Sequence, residues 1–290
     1  MAEKNDKDEV TGIDTTGHEW DGIKELNNPL PRWWLWTFYG TVVWGIGYTI
    51  AFPAWPLINS ATSGLLGYST RAEVAEQIAV VDAANAEVSM RLASADLTTL
   101  AQDDPAYRYG VAGGASVFLA NCSQCHGSGA AGVQAGGYPN LLDDDWLWGG
   151  DLEAIEYTVR HGIRNEIDPD ARWSEMPAFG DILDDQEIAA TVEYVLSISG
   201  QDYDSGLAEQ GAVLFQEQCS ACHGDAGEGI REVGAPRLSD AIWLYGGDRD
   251  TVTETITYSR FGVMPPWGQR LDEAEIKAVT LYLHQLGGGE

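Results

Sequence analysis

The chain has 290 residues, with 45 acidic and 16 basic side chains, five histidines and a formal net charge of −29. That charge excludes a nucleic-acid-binding surface, which needs a basic face to displace counterions from phosphates, while 44% hydrophobic residues exclude wholesale disorder. Four cysteines are too few to staple a disulfide scaffold, so their spacing carries their meaning.

Residues 1–32 set Lys4, Lys7, Lys24 and Arg32 against eight carboxylates and read as a flexible polar tail. Between Arg32 and Arg71 there is no charged residue, and Trp33 to Phe52 is uninterrupted by any strongly polar side chain. A helix rising about 1.5 Å per residue over that run crosses a hydrocarbon layer of roughly 30 Å. Trp33, Trp34, Trp36 and Trp55 gather at its ends, as interfacial aromatics do. Pro53 and Pro56 stop the helix. A signal peptide would start near the first residue and end in a small-residue cleavage site, so residues 33–56 read as a transmembrane helix. Thr37, Thr41, Gly45 and Thr49 recur every four residues. They either form a stripe for close helix packing or reflect the abundance of small residues in membrane helices.

Residues 57–105 read as a linker with one helix in it. Thr70 and Glu73 form a capping-box pattern at its start. Val74, Ile78, Val81, Val88 and Leu92 follow on one face, interrupted at Asn85. That stripe lies against either the chain's own globular part or a partner subunit.

Beyond residue 105 the chain repeats. Gly114-Ala-Ser-Val-Phe118-Leu-Ala-Asn-Cys122-Ser-Gln-Cys125-His126-Gly127 is matched, 97 residues on, by Gly211-Ala-Val-Leu-Phe215-Gln-Glu-Gln-Cys219-Ser-Ala-Cys222-His223-Gly224. Pro139 maps to Pro236 and Trp146 to Trp243, and Gly149-Gly150-Asp151 maps to Gly246-Gly247-Asp248 at the same shift. Farther on the shift is 88: Met176-Pro177 maps to Met264-Pro265, Glu187-Ile188 to Glu275-Ile276, and Tyr194 to Tyr282. The first copy therefore holds nine extra residues before its methionine. The expected domains are 106–200 and 205–290, each a small all-α unit, with last helices near Asp185–Ser199 and Glu273–Leu286.

Cys-x-x-Cys-His is the attachment sequence of haem c: two thiols add to the porphyrin vinyls and the histidine supplies an axial nitrogen. Zinc sites and dithiols also use Cys-x-x-Cys, but neither explains a histidine after each pair and a matched downstream methionine. The expected cofactors are two covalently attached haems c. They are held by Cys122, Cys125 and His126 and by Cys219, Cys222 and His223, with Met176 and Met264 as sixth ligands on glycine-flanked loops. Pairing within each repeat gives Met176 to His126 and Met264 to His223, though tandem units can exchange such loops. A ligating histidine needs its other ring nitrogen held, and Pro139 and Pro236, each 13 residues on, are expected to supply the accepting carbonyl. Trp146, Trp243, Arg160 and Arg260 are either propionate partners or ordinary core and surface residues. His161 is a competitor for the sixth position of Met176; its counterpart is Tyr258.

The segment Thr16-Gly-His18-Glu-Trp20-Asp-Gly-Ile-Lys24-Glu-Leu-Asn-Asn-Pro-Leu-Pro-Arg32-Trp33-Trp34, with one anchor and two haem units, closely resembles the dihaem subunit (subunit III, CcoP or FixP) of cbb3-type cytochrome c oxidases. The resemblance covers essentially the whole chain. It implies an all-α protein with one N-terminal transmembrane helix followed by two tandem class I cytochrome c domains. It further implies an inner-membrane subunit with a cytoplasmic N-terminus and periplasmic haem domains. By resemblance, the chain takes electrons from a donor cytochrome c and passes them to the monohaem subunit, which feeds the catalytic subunit that reduces oxygen and pumps protons. No oxygen-reducing site is expected in this chain. A free-standing membrane-tethered shuttle and a dihaem peroxidase are the competing readings. Residues 57–290 carry 37 acidic and 12 basic groups, so the excess charge lies around the haem units, where it either steers a basic donor or simply keeps the surface soluble.

Overall fold

The computed structural model describes residues 6–289; Lys4 of the tail lies outside them. The chain divides into two compact units, Met1–Ala83 and Ala84–Glu290.

The N-terminal segment, expected to be a flexible tail, instead holds an antiparallel hairpin, β1 (Thr15–Trp20) and β2 (Ile23–Leu26). Asp21 and Gly22 form its two-residue turn with φ of 48° and 85°, the backbone that matches the twist of paired strands. Trp20 pairs with Ile23 and Glu19 with Lys24. The described residues are thus mostly helical rather than all-α.

Helix α1 (Arg32–Ala51) follows, and the chain leaves it extended at Phe52. None of its residues is buried. Thr37, Thr41 and Thr49 turn their hydroxyls back onto the carbonyls of Trp33, Phe38 and Ile46 at 3.0, 2.7 and 2.9 Å. By mean hydropathy, no helix among the described residues is long and apolar enough to cross a membrane. Helix α2 (Thr70–Ser94) is capped by Ser69 rather than Thr70, the Ser69 hydroxyl accepting from the Ala72 amide at 3.3 Å. Val74, Ile78 and Val81 are exposed. At the other end of the stripe, Val88 and Leu92 pack with Leu97, Ala106, Ala278 and Leu281.

The second unit contains α3 (Pro105–Asn121), α4 (Ser123–His126), α5 (Leu152–His161), α6 (Asp185–Ile198), α7 (Ser205–Gln218), α8 (Ser220–His223), α9 (Arg249–Tyr258) and α10 (Glu273–His284). Asp104, Asp151, Asp184, Asp204, Asp248 and Asp272 each accept a backbone N–H at the start of a helix. The repeated Gly-Gly-Asp is therefore a helix cap, and part of the acidic excess complements helix N-termini.

Helix pairing crosses the repeats. The last helix of the second repeat, α10, packs on α3 and α5 of the first, and α6 of the first packs on α7 and α9 of the second. Gly114 of α3 lies so close to α10 that a Cβ would sit 2.1 Å from the Ala278 oxygen; at Gly211 of α7 a Cβ would sit 1.9 Å from the Ala190 oxygen on α6. Phe118 and Phe215, four residues after these glycines, are fully buried. One core joins Phe118, Ile155 and Val159 to Ile276, Val279 and Leu283. The other joins Phe215 and Val252 to Ile188, Val192, Val195 and Leu196. An ion pair fastens each exchanged helix: Arg160 on α5 to Glu273 on α10 at 2.6 and 2.8 Å, and Arg249 on α9 to Glu193 on α6 at 2.5 and 3.0 Å.

Candidate haem-binding sites

The two cysteine pairs adopt one local structure. Cys122 ends α3, and the single turn of α4 brings Cys125 and His126 back over it, their amides donating to the Cys122 oxygen at 3.2 and 3.0 Å. At Cys219 the Cys222 and His223 amides do the same at 3.1 and 2.9 Å. His126 Nδ1 lies 3.2 Å from the Pro139 oxygen and His223 Nδ1 lies 2.9 Å from the Pro236 oxygen. A carbonyl only accepts, so Nδ1 carries the proton and Nε2 keeps its lone pair. Burial holds both imidazoles below their ordinary pKa, opposed by the proline carbonyls, and so favours the neutral ring. Burial, with the second thiol of each pair adding to it, pushes Cys122 and Cys219 up to about 11.

The methionines sit across the repeats. Met176 and Pro177 line a cavity of about 430 Å³ together with Cys219, Cys222 and His223 of the other repeat. Met264 packs into the core that holds Cys122 and Phe118. Pairing within each repeat is therefore not what the fold builds, because each Met-Pro loop travels with the exchanged helix that follows it. Ser259 Oγ donates to the Met176 oxygen, while Met264 and Ile163 exchange both backbone hydrogen bonds at 3.0 Å. The His223 cavity also reaches Tyr138, Pro139 and Asn140, the segment whose carbonyl holds His126.

The arginines separate by role. Arg160 is committed to Glu156 at 2.7 Å and to Glu273, which leaves it no open fork for a propionate. Arg260 lines the cavity, donates to Thr255 Oγ1 at 3.0 Å and to the Thr251 oxygen at 2.8 Å, and stacks over Tyr245 at 4.7 Å. Its structural counterpart is Arg172, which donates to Thr158 Oγ1 at 2.9 Å and the Ala154 oxygen at 3.3 Å and lies over Trp148 at 5.3 Å. The 88-residue shift relates the two arginines directly, a signal that sequence reasoning passed over. Arg164, also missed, lines the cavity and donates to the Gly262 oxygen at 3.1 Å; burial lowers its pKa. Trp243 lines the cavity, whereas Trp146 gives its indole N–H to the Gly288 oxygen.

His161 is not among the residues that line the cavity with Met176; its Nδ1 lies 3.0 Å from Asp168 and its ring packs on Tyr157. Met90 is exposed on α2, and His18 stacks on Trp20 in β1.

Comparison with known proteins decides the family. Residues 12–59 match the N-terminal domain of cytochrome oxidase-cbb3, FixP. Residues 110–195 and 206–283 each match cytochrome c oxidase, cbb3-type, subunit III. The chain is 60% identical over 292 residues to the cbb3-type cytochrome c oxidase subunit CcoP of Cereibacter sphaeroides, covering 100% of both chains. It is 48% identical over 291 residues to the subunit FixP of Sinorhizobium medicae, again covering 100% of both. With CcoP of Rhodobacter capsulatus it shares 50% over 289 residues, covering 96% of this chain and 97% of the other. The chain belongs to the CcoP/FixP family of cbb3-type oxidase subunits. Members of this family are the dihaem electron-transfer subunits of a membrane respiratory complex, and its cytochrome c domains imply haem c. The described side chains fit that group: two thiols, a neutral imidazole with a free Nε2 and a thioether form the donor set of a haem c with His/Met ligation.

Proposed function

We propose that this chain relays electrons from a donor cytochrome c to the monohaem subunit and so to the oxygen-reducing subunit of the oxidase. One haem c is held by Cys122, Cys125, His126 and Met264, the other by Cys219, Cys222, His223 and Met176. The observation that carries this is the convergence of Met176 with Cys219, Cys222 and His223 on one apolar-walled cavity. Haem c, when bound, supplies a one-electron couple whose potential a thioether ligand raises.

The chain's own residues do the rest. The thiols would tether the group, the proline carbonyls fix the imidazole tautomer, and the Met-Pro loops would supply a thioether donor. A haem held by both an imidazole and a thioether would carry electrons without binding oxygen or peroxide, which favours a carrier over a dihaem peroxidase.

Helix α1 is the anchor in this reading, with the N-terminus cytoplasmic and residues 57–290 periplasmic. Its support is 20 residues without an internal charge, no buried side chain and threonines bonded within the helix. Trp and Tyr lower its hydropathy, yet these are the residues favoured at membrane interfaces.

Gentle detergent extraction tests the proposal. The chain should migrate with b-type haem and multi-span partners, and a pyridine haemochrome assay should give two haems c per chain. Migration alone, without b-type haem, would leave a free-standing tethered shuttle and end the oxidase assignment.

A further inference from the structure

The nine extra residues of the first repeat fall between His161, still at the 97 shift, and Arg172, already at 88. In space this insertion is wrapped around the methionine loop of the other repeat. Ile163 pairs antiparallel with Met264 and in parallel with Arg172. Gly162 lies so near that a Cβ there would be 2.3 Å from the Met264 oxygen. Asn165, only 6% exposed, is the hub. Its amide NH₂ donates to the His161 oxygen at 2.9 Å and to the Met264 oxygen at 3.3 Å. Its Oδ1 accepts from the amides of Ile167 and Asp168 at 3.2 and 3.0 Å. Asp168 in turn holds His161. One buried, fully partnered amide thus ties the end of α5, the inserted loop and the Met264 backbone together. The second repeat has no such insertion, and there Ser259, at the position equivalent to Gly162, bonds the Met176 oxygen with its hydroxyl.

We propose that the inserted loop, through Asn165, positions Met264 as the sixth ligand of the haem held by Cys122, Cys125 and His126, and does so for that haem alone. The inference rests on the reading of Met264 as that ligand. Asn165 touches neither iron nor porphyrin in this account; it acts through the Met264 backbone. An acceptor in place of its donor would face two carbonyl oxygens in a buried site, an arrangement that costs far more than the lost hydrogen bond.

The test is a spectroscopic redox titration of the intact oxidase complex carrying Asn165→Asp, Asn165→Ser or, as reference, Met264→His. Met264→His should lower one of the two haem c potentials. Asn165→Asp should lower that same potential and remove one of the two contributions to the long-wavelength Met–iron charge-transfer band, leaving the other haem unmoved. Asn165→Ser, shorter but still a donor, should move it less, and serves as the readout if Asn165→Asp fails to assemble. If Met264→His moves neither potential, the ligand reading itself is wrong. If Met264→His moves one and the assembled Asn165 variants move neither, or move both equally, the positioning role is overturned.

Discussion

The Phe118 ring lies 5.7 Å from that of Tyr282, although Tyr194 is the corresponding tyrosine of its own repeat; Tyr194 lies 5.0 Å from Phe215. Each repeat therefore completes the other's helix crossing. The first consequence concerns the methionines. In a variant with Cys122→Ala and Cys125→Ala, only a haem at Cys219 and Cys222 should be attached. Its potential should fall with Met176→His and stay in place with Met264→His. Redox titration of the two triple variants reads this directly, and the opposite pattern would return the ligands to their own repeats.

The helix crossings should be intolerant of a single methyl. At Gly211 a Cβ would sit 1.9 Å from the Ala190 oxygen, and backbone on both sides leaves nothing to rotate away. Gly211→Ala should cost about 1–3 kcal/mol, the usual range for overpacking, and lower the melting midpoint by several degrees. Gly113→Ala, where a Cβ meets nothing within 4 Å, is the control and should hold or raise the midpoint, because Ala is favoured over Gly in a helix interior by roughly 0.5–1 kcal/mol.

Acid should loosen both exchanged helices. Arg249 holds Glu193 below the ordinary glutamate pKa, and Arg160 does the same for Glu273. A carboxylate whose folded pKa is depressed adds stability above its unfolded value, about 4.3. That stability is lost as pH falls through the lower folded value. The unfolding midpoint of a Glu193→Gln, Glu273→Gln variant should therefore lie below wild type at pH 6. The gap should close on acidification below about pH 4. A gap that persisted at the lowest pH would mean that these pairs do not fasten the helices.

How much of this was legible beforehand depends on distance along the chain. The cysteine pairs and the proline carbonyls are 13 residues or fewer from their histidines, and local spacing located them. The partner of α3 could not be read, because α6 and α10 carry the same residues at the same shift: Glu187-Ile188 against Glu275-Ile276, Tyr194 against Tyr282. Either helix satisfies the small groove at Gly114, so the choice belongs to the loops and to pairs such as Arg160–Glu273. The hairpin was legible, since Asp21-Gly22 is a strong two-residue turn signal, but the polar composition around it suggested a tail. Arg172 went unread as the match of Arg260 because the insertion shifts the register between His161 and it.

Electron entry from a basic donor should slow as salt rises. Residues 57–290 carry a net −25, and six of the aspartates sit at helix starts, where they are fixed at the surface. Attraction of this kind fades beyond a Debye length of about 8 Å at physiological ionic strength. The second-order rate of reduction by a basic cytochrome, followed by stopped flow, should fall steadily between low and high salt. A flat profile would assign the acidic surface to solubility alone.

The crossed helices also set an order of manufacture. The chain emerges N-terminus first, so Cys122, Cys125 and His126 are synthesised before any other part of either candidate site. Yet the core around Phe118 is closed by α10 (Glu273–His284), which follows the second cysteine pair in the chain. The first cysteine pair to leave the ribosome thus waits for a helix that follows the second pair, and the core beside it stays open while the second repeat is being synthesised.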